Sequence, residues 1–483
     1  MEYKTIKELH EELLNGKIKS EDLVKESLEK AKASNNEINA FVTILENAES
    51  KEITDSLLSG IPYACKDNIS TKDILTTGSS NILKNYVPIF DATCVSKLKE
   101  NNAVLIGKTV LDELAMGGTG TTGHTGVVRN PWDTSRLIGG SSAGSAAAVS
   151  MGIVNYALGS DTGDSIRKPA YYGGIVGYKP TYGAISRYGL FPFACSLDHV
   201  GCFTRSVIDA AIVVDAIKGK DNKDMTSHDL NYNLVDGIEN DIKGKKLFYL
   251  KEVCDLNQFD DVDDEFKEIM DNFNEVVKKY ESLGAIVEEV SVDKELLKAI
   301  SPVYFTISCA EATSNNSNLT GVAFGPRAGG EKASEMIFNA RTKGFSELIK
   351  RRFVIGSYVL QKENQEKLFL NAGRIRRMIV NKFSDLFEEY DAMILPGAGT
   401  VAPKFKSENI DKLSDRYLIL ENHMQIANFG GFPSITIPTG FVNGLPVGVS
   451  ITSGIKKDNV LLNVAYNLEN VMEYKGQIAG GRK

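Results

Sequence analysis

"GGSSAGSAAAVSMGIVNYALGSDTGDS", residues 139–165, reads as four pieces in succession. A Gly/Ser loop leads into an Ala-rich run of helical length. The apolar segment "IVNYAL" follows with strand character, and a second Gly-rich loop ends at Ser165. A loop–helix–strand–loop unit returns the chain to the edge of the sheet from which it left. Ser141 in the first loop and Ser165 in the second, 24 positions apart, are therefore expected at one sheet edge.

The same alternation extends on either side. "IPYACKDNI" (61–69) is a short apolar run entering a polar turn, which puts Lys66 near a strand end, and "ATCVSKLKENNAVLIGKTV" (92–110) reads helix, turn, strand. Upstream, "TIKELHEELLNG" and "SEDLVKESLEKAKAS" predict two amphipathic helices, the second with Ser20 as N-cap. Downstream of residue 240, "KKLFYLKE" predicts a strand, "DDEFKEIMDNFNEVVKKYESLGAIVEEV" a long helix closing at Gly284 and then a strand, and residues 330–390 a helical insertion. "YDAMILPGA" reads as a strand, "FPSITIPTG" and "LPVGVSITSG" pair as a hairpin around "FVNG", and "NVLLNVAYNLENVMEY" closes the chain as a helix. The expectation is an α/β fold with one large mixed β-sheet covered by helices. Residues 1–475 form a single domain, and 476–483 a flexible tail.

Bulk composition narrows the function. The chain has 483 residues, 42% of them hydrophobic, enough for a large core, and a formal net charge of −8 that gives no pull toward nucleic acid. Any RNA contact is expected to fall mostly on a partner. No apolar run approaches the roughly 20 residues of a membrane span, and the charged N-terminus is no signal peptide. Six scattered cysteines form no CxxC pair and no metal-ligand spacing with histidine, which fits a reducing, cytoplasmic compartment and no metal in this chain.

The chemistry is concentrated in three segments: Lys66 in "CKDN", Ser141 in "GGSSAGS" and Ser165 in "DTGDSIR". A serine nucleophile needs a base, and no histidine lies in these segments. A lysine whose pKa falls from about 10.4 toward neutrality through burial can serve, with a second serine relaying the proton. Each segment alone has a plainer reading, as a surface lysine, a helix N-cap loop or a connecting loop. "GGSSAGS" lacks both GxxxxGKS and GxGxxG, so a nucleotide site is disfavoured.

Taken together, the segments resemble the amidase signature family. The resemblance rests on "KDN" (66–68), "GGSSAGSAAAV" (139–149), "GSDTGDSIRKPA" (159–170), "GIVGYKPTYGAISRYGL" (174–190) and "SLDHVGCFTRSV" (196–207), in family order and spacing. "VLIGKTVLDELAMGGTG", "FPFACSLDHVG", "SCAEATSN" and "GFSELIKRRFVIGSYVL" are most similar to the glutaminase subunits of tRNA-dependent amidotransferases, over about residues 5–475.

The resemblance implies a triad of Lys66, Ser141 on a cis peptide bond, and Ser165 as nucleophile toward the glutamine carboxamide. It implies an oxyanion site of backbone N–H groups at Thr162, Gly163, Asp164 and Ser165, and a glutamine pocket of Tyr304, Arg352 and Glu421. Asp161 and Arg167 are placed to brace the loop as an ion pair, unless Arg167 turns to water. The implied partners are two further amidotransferase subunits, of the B and C types. One of them would carry ATP and Mg²⁺ and present misacylated Glu-tRNA(Gln), with Asp-tRNA(Asn) left open; no cofactor falls to this chain. Three positions depart from the family. Asp164 and Ala143 replace glycines, and Glu421 stands where aspartate is usual. A carboxylate ~6 Å from a developing oxyanion costs about 3 kcal/mol at an effective dielectric of about 20, so Asp164 must turn away or pair, with Lys168 as the nearest cation in sequence. A free-standing amidase and a catalytically silent scaffold are the alternative readings.

Overall fold

The computed structural model describes residues 3–50, 52–405 and 413–480. Its strands are β1 (Phe41–Ile44), β2 (Pro62–Lys66), β3 (Val104–Thr109), β4 (Arg129–Asn130), β5 (Asp133–Leu137), β6 (Tyr156–Asp161), β7 (Val176–Lys179), β8 (His199–Thr204), β9 (Lys246–Leu250), β10 (Ile286–Val290), β11 (Ala392–Pro396), β12 (Ser434–Val442) and β13 (Leu445–Ser453). Eleven of them form one mixed sheet in the order β1-β3-β2-β6-β8-β7-β12-β13-β11-β9-β10, while β4 and β5 make a separate hairpin.

Parallel pairing of β2 with β3 and β6 at one end, and of β9 with β10 and β11 at the other, frames an antiparallel middle. The middle is anchored by the β12–β13 hairpin, whose turn residues Asn443 (φ 51°) and Gly444 (φ 75°) are both left-handed, the geometry that matches strand twist in a two-residue turn. Strands β2, β6, β7, β8 and β13 are buried along their whole length, which is why they read as apolar runs rather than alternating patterns.

The helices fall where the periodicity places them. Ile6–Leu14 starts with a capping box between Thr5 and Glu8, and Asp264–Ser282 is capped by Asp263. Ser20 is not a cap: it is the first residue of Ser20–Ile38, and its hydroxyl donates instead to the Gly60 carbonyl at 2.8 Å. The insertion near 330–390 consists of the helices Ala333–Gly344, Glu347–Val359, Lys362–Gln365 and Asn371–Glu389 with a π-helical turn at Glu366–Leu370. In the described part of the tail, Gly476 N–H reaches Arg205 O and Ala479 N–H reaches Ser150 O, both at 2.9 Å. Residues 481–483 lie outside the described residues.

The pairing of β2 with β6 decides where chemistry is possible. Tyr63, Ala64 and Cys65 lie in register with Tyr156, Ala157 and Leu158, so both strands deliver their C-terminal ends, Lys66 and Asp161, to one edge of the sheet. Crevices at the C-terminal ends of parallel strands are the usual binding sites of α/β sheets. The connecting helix Ala143–Ser150 is buried at every position, and only small residues let it lie this close to its neighbours. A Cβ on Gly144 would fall 2.2 Å from Ala40 O and 2.6 Å from Val110 N, both backbone atoms. Gly144→Ala is therefore expected to cost roughly 1–3 kcal/mol, read as a lower urea midpoint. Gly118→Ala, whose Cβ would meet nothing within 4 Å, should leave the midpoint unchanged.

Candidate active site

Lys66 ends β2 with its side chain fully buried. Its Nζ lies 2.8 Å from Ser141 Oγ, 2.8 Å from Ser142 Oγ, 2.8 Å from Ser160 Oγ and 3.2 Å from the Ser160 carbonyl. No carboxylate is within ion-pairing distance among the described residues, so burial dominates and pulls the amine down to about 7, against the more distant acids Asp112, Asp161 and Asp198.

The surrounding hydrogens can be assigned. The Ser142 hydroxyl donates to Ser160 O at 3.0 Å, so Ser142 Oγ must accept from Lys66. Ser160 Oγ already accepts from Asn68 Nδ2 at 3.0 Å and takes a second bond from Lys66. A neutral amine has two N–H groups and one lone pair. With the N–H groups on Ser142 and Ser160, the lone pair faces Ser141, whose hydroxyl can give up its proton.

Ser141 sits on the cis Gly140–Ser141 peptide. Its carbonyl accepts Asp112 N–H at 3.1 Å, and Ser142 N–H reaches Ser165 O at 3.2 Å, which sews the relay loop to the nucleophile loop. The Asp112 carboxylate gathers the N–H groups of Thr119, Gly120, Thr121 and Thr122 at 2.9–3.2 Å and the Thr122 hydroxyl at 2.9 Å. Gly140 is required here because a Cβ would lie 2.0 Å from Asp112 Oδ2. Ala143 is accommodated as the first residue of its helix, packed against Gly120.

Ser165 is 4% exposed, and its Oγ has no hydrogen-bond partner among the described residues. The N–H groups of Gly163, Asp164 and Ser165 likewise meet no acceptor there, leaving consecutive donors free beside the hydroxyl. This loop is held from behind. Arg167 pairs with Asp161 through Nη2–Oδ1 at 3.0 Å and Nε–Oδ2 at 3.2 Å, with both side chains fully buried. The same guanidinium donates to Gly163 O (2.7 Å), Asn428 Oδ1 (2.6 Å) and Met424 O (2.7 Å). Burial works against the Asp161 charge, but the Arg167 cation and its hydrogen bonds outweigh it and hold the acid well below its ordinary range. Thr162 Oγ1 donates to Asp198 at 2.7 Å, and Asp198, pushed up to about 6 by burial, also takes the N–H groups of Phe193 and Ala194.

Of the residues expected to form the glutamine pocket, Tyr304 packs on this loop. The Tyr304 ring covers Gly163, where a Cβ would come 2.9 Å from Tyr304 Cζ, and burial raises the phenol while the Arg352 cation opposes it. Arg352 lies over the rings of Phe193 (5.6 Å) and Phe305 (5.2 Å). The Cys309 thiol lies beside its guanidinium, but Nη1 is buried without a partner. Glu421 has both oxygens engaged: Oε2 binds Lys168 Nζ at 3.0 Å and Oε1 accepts Gly399 N–H at 2.9 Å. Lys168 is thus paired with Glu421 rather than with Asp164, because its Nζ reaches across to the strand-end loop at 397–399. Asp164 remains half-buried, pushed up to about 6 by burial against the pull of Lys168.

Of the residues singled out in the sequence, the structure brings Lys66 and Ser141 into contact; Ser142, Ser160 and Asn68, which were not singled out, complete the surroundings of the amine, and Asp112 and Asn428 hold the two loops. Ser142 and Ser160 stand beside the motif residues, but only the strand register shows that they face Lys66.

Comparison with known proteins agrees with this geometry. The amidase family model matches residues 22–462. The chain belongs to the amidase family. The A-type glutamyl-tRNA(Gln) amidotransferase subunit of Streptococcus pneumoniae is 41% identical over 98% of this chain and 97% of its own length, and that of Streptococcus thermophilus 40% identical over 98% and 97%. The crystal structure of the A-type glutamyl-tRNA(Gln) amidotransferase subunit from Thermotoga maritima superposes with a TM-score of 0.79 at 37% identity, covering 93% of this amidase and 91% of that chain.

Because only the neutral amine is a base, the acylation rate should fall as pH drops through about 7, where Lys66 takes a proton, and level off above it. A pre-steady-state pH profile checks this. Lys66→Ala and Ser141→Ala should each lower turnover by about 10³-fold or more, and the double variant should lose little beyond either, as groups on one proton path do.

Proposed function

We propose that this chain is the glutaminase subunit of a tRNA-dependent amidotransferase. The observation that carries the reading is a buried lysine, drawn down to about 7 and in contact with Ser141, on a chain 41% identical end to end to an A-type glutamyl-tRNA(Gln) amidotransferase subunit.

In this reading Ser165 Oγ attacks the side-chain carboxamide carbon of glutamine. Its proton passes to Ser141 Oγ as the Ser141 proton passes to Lys66 Nζ. The oxyanion settles on the free N–H groups of Gly163, Asp164 and Ser165, where preorganised donors act most strongly because they need no reorientation. Collapse breaks the C–N bond, the relay runs backward to protonate the departing nitrogen, and ammonia leaves. Water, deprotonated along the same path, then hydrolyses the glutamyl ester on Ser165 and releases glutamate. The unpartnered Arg352 Nη1 takes the substrate α-carboxylate, a pairing guanidinium geometry suits well.

The ammonia is consumed on a partner. The complete enzyme carries two further subunits of the B and C types. One binds ATP and Mg²⁺, activates the γ-carboxylate of Glu-tRNA(Gln) and receives the ammonia. Among the described residues no helix is long and apolar enough to cross a membrane, and the cytoplasm is the proposed site of action.

The assembled complex should amidate Glu-tRNA(Gln) with glutamine as donor. With Ser165→Ala, glutamine-dependent amidation should fall to background while concentrated ammonium chloride restores it. A product assay on misacylated tRNA with each donor decides the matter. Loss of both donors would place Ser165 in assembly or transfer instead, and wild-type amide hydrolysis without any tRNA amidation would favour the free-standing amidase.

A further inference from the structure

The helix Glu347–Val359, which carries Arg352, is tied on both sides of that residue. Toward its end, Gly356 lies so close to the helix Ile300–Asn315 that a Cβ would fall 2.1 Å from Cys309 O. That contact fixes it only against a neighbouring helix. At its start the tie reaches much further back in the chain. Ser346 N–H donates at 3.1 Å to Oε2 of Glu113, 233 positions earlier. Glu113 is 3% exposed, and its other oxygen accepts the Ser80 hydroxyl at 2.5 Å. Ser80 Oγ also lies 3.4 Å from Gly344 O, so the turn that opens the helix meets the Glu113–Ser80 pair twice.

Glu113 belongs to the segment that holds the relay serine. Asp112, one residue earlier, donates its N–H to Ser141 O. Glu113 N–H reaches Thr122 Oγ1 at 3.1 Å, and the Thr122 hydroxyl donates in turn to Asp112. The two residues that follow, Leu114 (φ 51°) and Ala115 (φ 62°), are buried in the left-handed region, which residues other than glycine rarely enter. Leu114 N–H on Gly78 O and Ala115 N–H on Asp112 O, both at 2.8 Å, hold them there. Such a conformation persists only where the surroundings over-determine it. The segment thus presents a buried carboxylate in a fixed direction, and both of its oxygens serve the start of the helix that carries Arg352.

We propose that Glu113 is a positioning residue: it fixes the helix Glu347–Val359 against the relay-loop segment and thereby sets Arg352 for the substrate α-carboxylate. The proposal rests on the glutaminase reading above. A guanidinium takes a carboxylate through two parallel N–H bonds only when both groups are closely placed. Arg352 Nη1 is buried without a hydrogen-bond partner among the described residues, and the guanidinium lies over the rings of Phe193 and Phe305. Ring contacts set no fixed direction, so the placement of the helix decides where the fork points.

The test is a double-variant cycle in glutamine hydrolysis by the assembled complex. Glu113→Ala should raise KM for glutamine by about tenfold, the size of one hydrogen bond to a charged group. It should leave kcat and the acid limb of the acylation profile, at about 7, in place. Glu113→Gln keeps an oxygen for Ser346 N–H and offers its amide to a turned Ser80 hydroxyl, so it should recover most of the lost affinity. Arg352→Gln should raise KM by about 100-fold or more, and adding Glu113→Ala to it should cost little further, because both changes act on one contact. Glu113→Asp keeps the charge but shortens the reach. It should raise KM in the same direction and covers the case in which the alanine variant misfolds. Losses that multiply in the double variant, a fall in kcat or a moved acid limb with KM unchanged, or an unchanged KM in both Glu113→Ala and Glu113→Asp would overturn the assignment while leaving the glutaminase reading intact. A wild-type complex that does not hydrolyse glutamine would instead defeat that reading and this inference with it.

Discussion

A charged lysine cannot be held cheaply in a dry interior without an acid beside it, and the site depends on that constraint. Lys66 is surrounded by hydroxyls and a carbonyl, and among the described residues no carboxylate lies in contact with it. The hydroxyls satisfy its N–H groups while leaving its charge uncompensated, so a large share of the amine is neutral near pH 7. An aspartate in place of Ser142 or Ser160 would pair with the amine and remove the base. Polar satisfaction without charge compensation lets a lysine take the role more often given to histidine.

The nucleophile loop is built on the opposite principle. Asp161 and Arg167 are fully buried and paired through two hydrogen bonds, which hold the Asp161 acid well below its ordinary range, and the remaining guanidinium donors find Gly163 O, Asn428 and Met424 O. This network holds the Gly163 carbonyl toward Arg167 and leaves the N–H groups of Gly163, Asp164 and Ser165 without acceptors among the described residues. Asp112 does the same for the relay loop by gathering four successive N–H groups. Carboxylates with satisfied hydrogen bonds hold both loops from behind, while the Ser165 hydroxyl and the N–H groups of Gly163, Asp164 and Ser165 in front meet no partner among the described residues.

Much of this was legible in the chain. The αβ units around 61–69, 92–110 and 139–165, the late hairpin and the helical insertion follow from apolar periodicity and Gly punctuation, which are local properties. The candidate triad followed from three short segments and their family resemblance. The partners of those residues were not legible. Ser142 and Ser160 look like ordinary loop and strand-end residues until β2 and β6 pair in parallel. Asn428 lies 267 positions from Asp161, and no local pattern links them. Lys168 looked like the partner of Asp164 because it is four residues away, but its longer reach takes it to Glu421, 253 positions on.

The sequence by itself determined which elements form and which residue types stand at their ends, because helix and strand formation answer to short-range periodicity and turn chemistry. It put no histidine in the three segments that carry Lys66, Ser141 and Ser165. Only the tertiary structure decided the ionisation of those groups. Burial, counter-charge and hydrogen bonding are set largely by residues distant in sequence, 75 to 94 positions away for the hydroxyl partners of Lys66 and 267 for Asn428 and Asp161. They draw the Lys66 amine down to about 7, hold the Asp161 acid well below its ordinary range, engage Glu421, and leave Arg352 Nη1 buried without a hydrogen-bond partner among the described residues.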